Sequence, residues 1–212
     1  PFEDGSQTTD IKVTDVYQGD SGHYVIGYSS APYSGGTRDF VRRAFIQPLA
    51  GGEPVQLLPQ AFSGDNGGFS SAYKIEEVDG KVLVVGHSSV SYPRDDVEYF
   101  NDCYNSDQYD DRYNINELVN CPGFDTQAWV WDVTDIVNGV SADEELFGSA
   151  LATTWLEGNT ANYGNLTFSA NAFDLNATGI AVGVSTFEFQ NSSEGGRQRA
   201  IIMTPSVSED GA

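Results

Sequence analysis

A short motif recurs three times along the chain, and it restricts the fold more than any other feature, because a repeated unit must bury its apolar side against its neighbours. The motif is an apolar run broken by glycine and closed by serine, followed after a gap by a second apolar run containing alanine. The first copy reads His23-Tyr24-Val25-Ile26-Gly27-Tyr28-Ser29, then Arg43-Ala44-Phe45-Ile46-Gln47-Pro48. The second reads Val82-Leu83-Val84-Val85-Gly86-His87-Ser88, then Gln127-Ala128-Trp129-Val130-Trp131-Asp132. The third reads Gly179-Ile180-Ala181-Val182-Gly183-Val184-Ser185, then Arg199-Ala200-Ile201-Ile202-Met203-Thr204-Pro205. From the glycine to the alanine is 17 positions in copies one and three and 42 in copy two, so copy two carries an insertion.

Upstream of each copy lies another strand-like stretch, Ile11 to Tyr17, Ala72 to Val78 and Phe168 to Leu175, each ending at a Gly or Asp turn signal. Pro54 to Leu58 offers a further strand after copy one. The runs are short and β-branched, as in strands covered on both faces. They predict an all-β chain of short antiparallel strands in propeller-like repeats, with units at about 10–58, 72–150 (insertion 88–124) and 167–205. Propellers close with about four to eight blades. Three copies therefore imply either a degenerate blade hidden between Val133 and Thr167 or membership of a larger ring. The mid-strand glycines are expected at a bulge or close backbone approach, and the alanines at tight sheet packing.

Asp174-Leu175-Asn176-Ala177-Thr178-Gly179-Ile180-Ala181-Val182-Gly183-Val184-Ser185, with Arg199-Ala200-Ile201 after a gap, resembles the HAF-type bacterial extracellular repeat. Copy three departs from that repeat in having Ala200-Ile201 where Ala-Phe is usual, and copy one keeps Ala44-Phe45 but lacks the Asp-x-Asn turn. Copy two keeps Gly86 and Ser88 with Ala128-Trp129. The resemblance covers about half of the chain. It implies a propeller-like fold and a secreted, extracellular or cell-surface location, the periplasm included, and it carries no activity with it.

The 31 acidic side chains against 10 basic ones give a formal charge of -21, which repels a phosphate backbone and argues against nucleic-acid binding. Solvated carboxylates suit extracellular or saline surroundings, and equally a merely soluble surface. No apolar run approaches the roughly 20 residues that span a bilayer, so no membrane span is expected. The start at Pro1 reads as a mature or excised piece of a longer precursor.

The insertion holds both cysteines, Cys103 and Cys121, which are expected to pair. In an oxidising compartment such a bridge stabilises by roughly 3 kcal/mol. Two thiols with no further Cys or His nearby do not complete a zinc site. The same segment carries Asp107, Asp110 and Asp111, candidate oxygen ligands for Ca2+, although no Asp-x-Asp-x-Asp-Gly run is present; the competing reading is a solvated acidic loop. Tyr92, Tyr99, Tyr104, Tyr109 and Tyr113 interleave with those acids as a candidate binding surface for a sugar ring or a protein. The equivalent loops, Ser30 to Arg42 and Thr186 to Gln198, are expected on the same face.

Gly86-His87-Ser88-Ser89-Val90 superficially matches a hydrolase nucleophile elbow but has Val90 where a second glycine is needed. The repeat explains it instead, since Gly27-Tyr28-Ser29 and Gly183-Val184-Ser185 occupy the same register. No nucleotide or haem motif is present, and no catalytic residue is assigned. The expected function is a non-catalytic binding module whose partner is an extracellular glycan, a protein or a like subunit. A secreted hydrolase using paired carboxylates and a structural subunit of an extracellular polymer are the alternatives.

Overall fold

The computed structural model describes residues 11–32, 40–59, 69–89, 126–140, 145–151, 170–187 and 197–203. They form three largely antiparallel sheets with almost no helix. Sheet I joins β1 (Ile11–Gly19), β2 (Gly22–Pro32), β3 (Phe40–Pro48) and β4 (Val55–Leu58) in chain order. Sheet II joins β5 (Ser70–Val78), β6 (Lys81–Ser89) and β7 (Thr126–Asp132). Between Val133 and Thr167, where a hidden blade was one expectation, the described residues 145–151 add edges to these two sheets. After a single helical turn, α1 (Thr134–Val137), β8 (Glu145–Phe147) adds to β4 in parallel and β9 (Ser149–Ala150) adds to β7. Residues 152–169 lie outside the described part. Sheet III joins β10 (Ala170–Leu175), β11 (Ala181–Phe187) and β12 (Arg197–Met203).

One irregularity recurs in all three sheets and explains the repeated glycine. The first strand bulges between Val13 and Asp15, between Ala72 and Lys74, and between Ala172 and Asp174. Opposite the residue before each bulge sits the motif glycine: Val13 pairs with Gly27, Ala72 with Gly86 and Ala172 with Gly183. The bulge presses a carbonyl onto the glycine, so a β-carbon there would lie 1.9 Å from the Lys12 oxygen, 1.9 Å from that of Ser71 and 1.8 Å from that of Asn171. Only a residue without a side chain tolerates that approach.

The motif serine also has a structural task. Ser29 and Ser88 are buried, and each hydroxyl donates to the carbonyl of the next residue, Ser30 and Ser89. In the third hairpin the Asp-x-Asn-x-x-Gly run builds the turn. The Asp174 carboxylate accepts from the Leu175 N–H, the Asn176 side-chain oxygen accepts from the N–H groups of Thr178 and Ile180, and Gly179 takes φ +79°.

The sheets stack in one sense. Residues alternate between faces along a strand, which gives every sheet a front and a back. The front of sheet I (Tyr24, Ile26, Ala44, Ile46, Leu57) packs on the back of sheet II (Ala72, Ile75, Val84, Trp129, Trp131). The front of sheet II (Leu83, Val85, Ala128, Val130) packs on the back of sheet III (Ala172, Leu175, Ala181, Met203). Side chains tie the first contact: Trp131 Nε1 donates to the Leu58 carbonyl at 2.8 Å, and Ser70 Oγ donates to the Leu57 carbonyl at 2.7 Å while accepting from the Ala44 N–H. Helix α1 follows β7 and closes the far end of the first hairpin, where Ser21 Oγ donates to the Val137 carbonyl and Tyr24 Oη to that of Ile136.

Candidate binding surface

The stacking sets the first strands β1, β5 and β10 side by side, with equivalent residues as neighbours. Asp15 of sheet I meets Lys74, its counterpart in sheet II, at 3.0 Å, and the same carboxylate accepts from the Ile75 N–H at 3.1 Å. Lys74 also approaches Glu76 at 3.9 Å. Its ammonium is held above the usual lysine range, first by the hydrogen bond to Asp15 and then by the charges of Asp15, Glu76 and Asp174. Thr14 Oγ1 donates to the Ala72 carbonyl, and Tyr17 Oη to Glu77. The result is a partly exposed polar strip of alternating sign across three sheets.

Beside it runs a line of rings. Tyr73, the extra residue of the sheet II bulge, stands 6.3 Å from Tyr28 and 5.3 Å from Phe173, both edge to face. The Arg42 guanidinium lies over the Tyr28 ring at 4.7 Å and the Lys12 ammonium at 5.9 Å, both within cation–π range. Burial pushes the Tyr73 hydroxyl above its usual range, and neighbouring Tyr28 adds to the shift. Edge-to-face rings flanked by a guanidinium give rigid contact area to a planar or sugar-like ligand at low entropy cost. Neither line was legible in the sequence reading, and the spacing shows why. Thr14 and Tyr73 precede their glycines by 13 residues but Phe173 by only 10, because the third hairpin turns differently.

His87 occupies the register of Tyr28 and Val184. It is fully buried against Tyr73 (5.5 Å) and Phe69 (6.0 Å), with no hydrogen-bond partner on either ring nitrogen among the described residues. Burial, with a contribution from the Arg42 charge, lowers its pKa to about 3. Ser88 next to it points to the opposite face, as consecutive strand residues do. His87 therefore sits as a neutral ring in a packed layer.

The depressed value fixes a pH dependence. The folded chain refuses a proton that the unfolded chain accepts, so this contribution is intact above the unfolded pKa of about 6.5 and falls as pH drops toward 3, by about 1.4 kcal/mol per unit. Stability is expected to lose about 2 to 3 kcal/mol from this group by roughly pH 4.5. His87→Leu should flatten that part of the urea-midpoint profile; a variant whose acid limb matches the parent would refute the assignment.

The connections between second and third strands leave the sheets at equivalent points, closed by the pairs Pro32 with Phe40, Ser89 with Thr126 and Phe187 with Arg197. Thr126 Oγ1 and Asn171 Oδ1 hydrogen-bond across sheets II and III at this end. Cys103, Cys121, Asp107, Asp110, Asp111, Tyr92, Tyr99, Tyr104, Tyr109 and Tyr113 all fall in the 90–125 connection, outside the described residues. Among the described residues no three His, Cys, Asp or Glu side chains are grouped to hold a metal, and no helix is long and apolar enough to cross a membrane.

A family match spans residues 2–212, nearly the whole chain. The chain belongs to the family described as protein of unknown function (DUF3466). No curated protein and no solved structure matches this DUF3466 chain.

Proposed function

We propose that the chain is a non-catalytic, secreted or cell-surface module of propeller-like blades that binds an extracellular glycan or protein at the loop end of its stack. The observation that carries the reading is the common exit of three connections, 33–39, 90–125 and 188–196, from equivalent hairpins of sheets stacked in the same sense. A surface of that kind is assembled from several loops on a rigid scaffold, the usual arrangement for recognition. The ring line of Tyr28, Tyr73 and Phe173 adds aromatic area beside it. The similarity to HAF-type repeats supports the location, and the burial of His87 and Ser88 supports a binding role over a hydrolytic one.

Deleting Arg94 to Cys121 tests the reading. The β-type circular dichroism should persist, while retention on a glycan array or on immobilised extracellular-matrix protein should weaken by at least about 10-fold. The same comparison with and without calcium tests Asp107, Asp110 and Asp111 as ligands. Unchanged retention after the deletion would sink the proposal.

A further inference from the structure

Among the described residues the stack is open at both ends, and its two free faces are of the kinds that meet inside it. Position by position, the back of sheet I presents Val16 where sheets II and III bury Ile75 and Leu175. Val16 is 56% exposed, against 2% for each of the other two. Val13 takes the place of Ala72 and Ala172 and is likewise exposed, as is Ile11 at the start of the strand. The front of sheet III presents the paired Val182 and Ile202, 43% and 64% exposed. Their counterparts Ile26 and Ile46 in sheet I, and Val85 and Val130 in sheet II, are buried. Even the motif alanine follows the rule, for Ala44 and Ala128 are fully buried and Ala200 lies open. Ser29 and Phe45, farther across the back of sheet I, are already covered, which confines the free area to the first strand and the half-buried Val25 beside it.

We infer that a second copy of this chain docks head to tail, the front of its sheet III against the back of sheet I. A front-to-back contact of this kind occurs twice within the chain, and the described residues leave one front and one back unmatched. Such a contact is heterologous, and two copies joined at both ends would enclose six sheets, within the range in which propellers close. The charges work against it. Asp174 on the docking front would approach Asp15 of the other copy, where the internal contact pairs Asp15 with Lys74, and each copy carries -21. Association should therefore strengthen as ionic strength rises, opposite to an interface held by salt bridges.

Sedimentation of the full 212-residue chain, of Val16→Glu and of Ile202→Glu decides the matter. Both positions are exposed in the single chain, so both variants should fold with the parent's circular dichroism. The parent is expected to associate more tightly in high salt, and each variant to weaken association by at least about 30-fold. An equimolar mixture of the two variants should regain it, because one keeps an intact front and the other an intact back. A parent that stays monomeric at every concentration and salt overturns the inference. So does association indifferent to both substitutions, or a mixture no better than either variant alone. The contact does not use the loop end, so deleting Arg94 to Cys121 should leave association intact, and failure of one proposal is separable from failure of the other.

Discussion

Gly86→Ala is expected to destabilise the chain by about 3 kcal/mol or more, the upper end of what overpacking costs. The added carbon would sit 1.9 Å from the Ser71 carbonyl oxygen and 3.1 Å from the Ala72 α-carbon. Both are backbone atoms, so no rotamer change relieves the clash. Relief requires flattening the bulge at Tyr73, which would move Lys74 away from Asp15 and the Ile75 N–H away from the same carboxylate. Sheet II is covered on both faces, by sheet I and by sheet III, so it has nowhere to shift. At about 2 to 4 °C per kcal/mol for a chain of this size, the melting temperature should fall by roughly 6 to 12 °C. Gly183→Ala meets an equally short contact in a sheet whose front is free, so it should cost less. Equal losses at the two positions, or a loss below about 1 kcal/mol at Gly86, would show that the bulge yields and does not dictate the residue.

The same glycine marks how far the sequence could be read. A repeated glycine that interrupts a β-branched run signals a close backbone approach whatever the fold, and the strands around it were visible because their apolar runs are short and end at turn residues. What the glycine faces was hidden. The bulge is a property of the partner strand, and its extra residue changes from Thr14 to the aromatic Tyr73 and Phe173, so no single residue type marks it. The pairing of the segment after β7 was hidden for a different reason. Glu145–Phe147 and Ser149–Ala150 are too short to form a sheet alone, and they add to strands more than eighty and about twenty residues earlier, a long-range pairing that local pattern does not encode. His87 shows the limit at the site. Its register was legible from Tyr28 and Val184, but its pKa depends on Phe69, Tyr73 and Arg42, brought beside it by stacking.

Trp131→Ala should cost about 3 to 5 kcal/mol, since the ring is fully buried where sheet II meets sheet I. Part of that cost belongs to the indole N–H, which reaches 2.8 Å across the contact to the Leu58 carbonyl at the end of β4. Trp129, two residues earlier on the same face, provides the control. It is also buried, yet its N–H has no acceptor among the described residues. Replacing either indole with phenylalanine removes similar volume, but only Trp131→Phe strands a partner carbonyl. Losing one net hydrogen bond costs about 1 kcal/mol, and leaving a buried acceptor unpaired costs about 1 to 3 kcal/mol. Trp131→Phe is therefore expected to unfold at lower urea than Trp129→Phe, by a difference of about 1 to 2 kcal/mol. Coincident unfolding curves for the two variants would mean that the link between sheets I and II rests on apolar packing alone. In that case the polar ties of Ser70 and Trp131 would set the register of the stacked sheets without contributing to their stability.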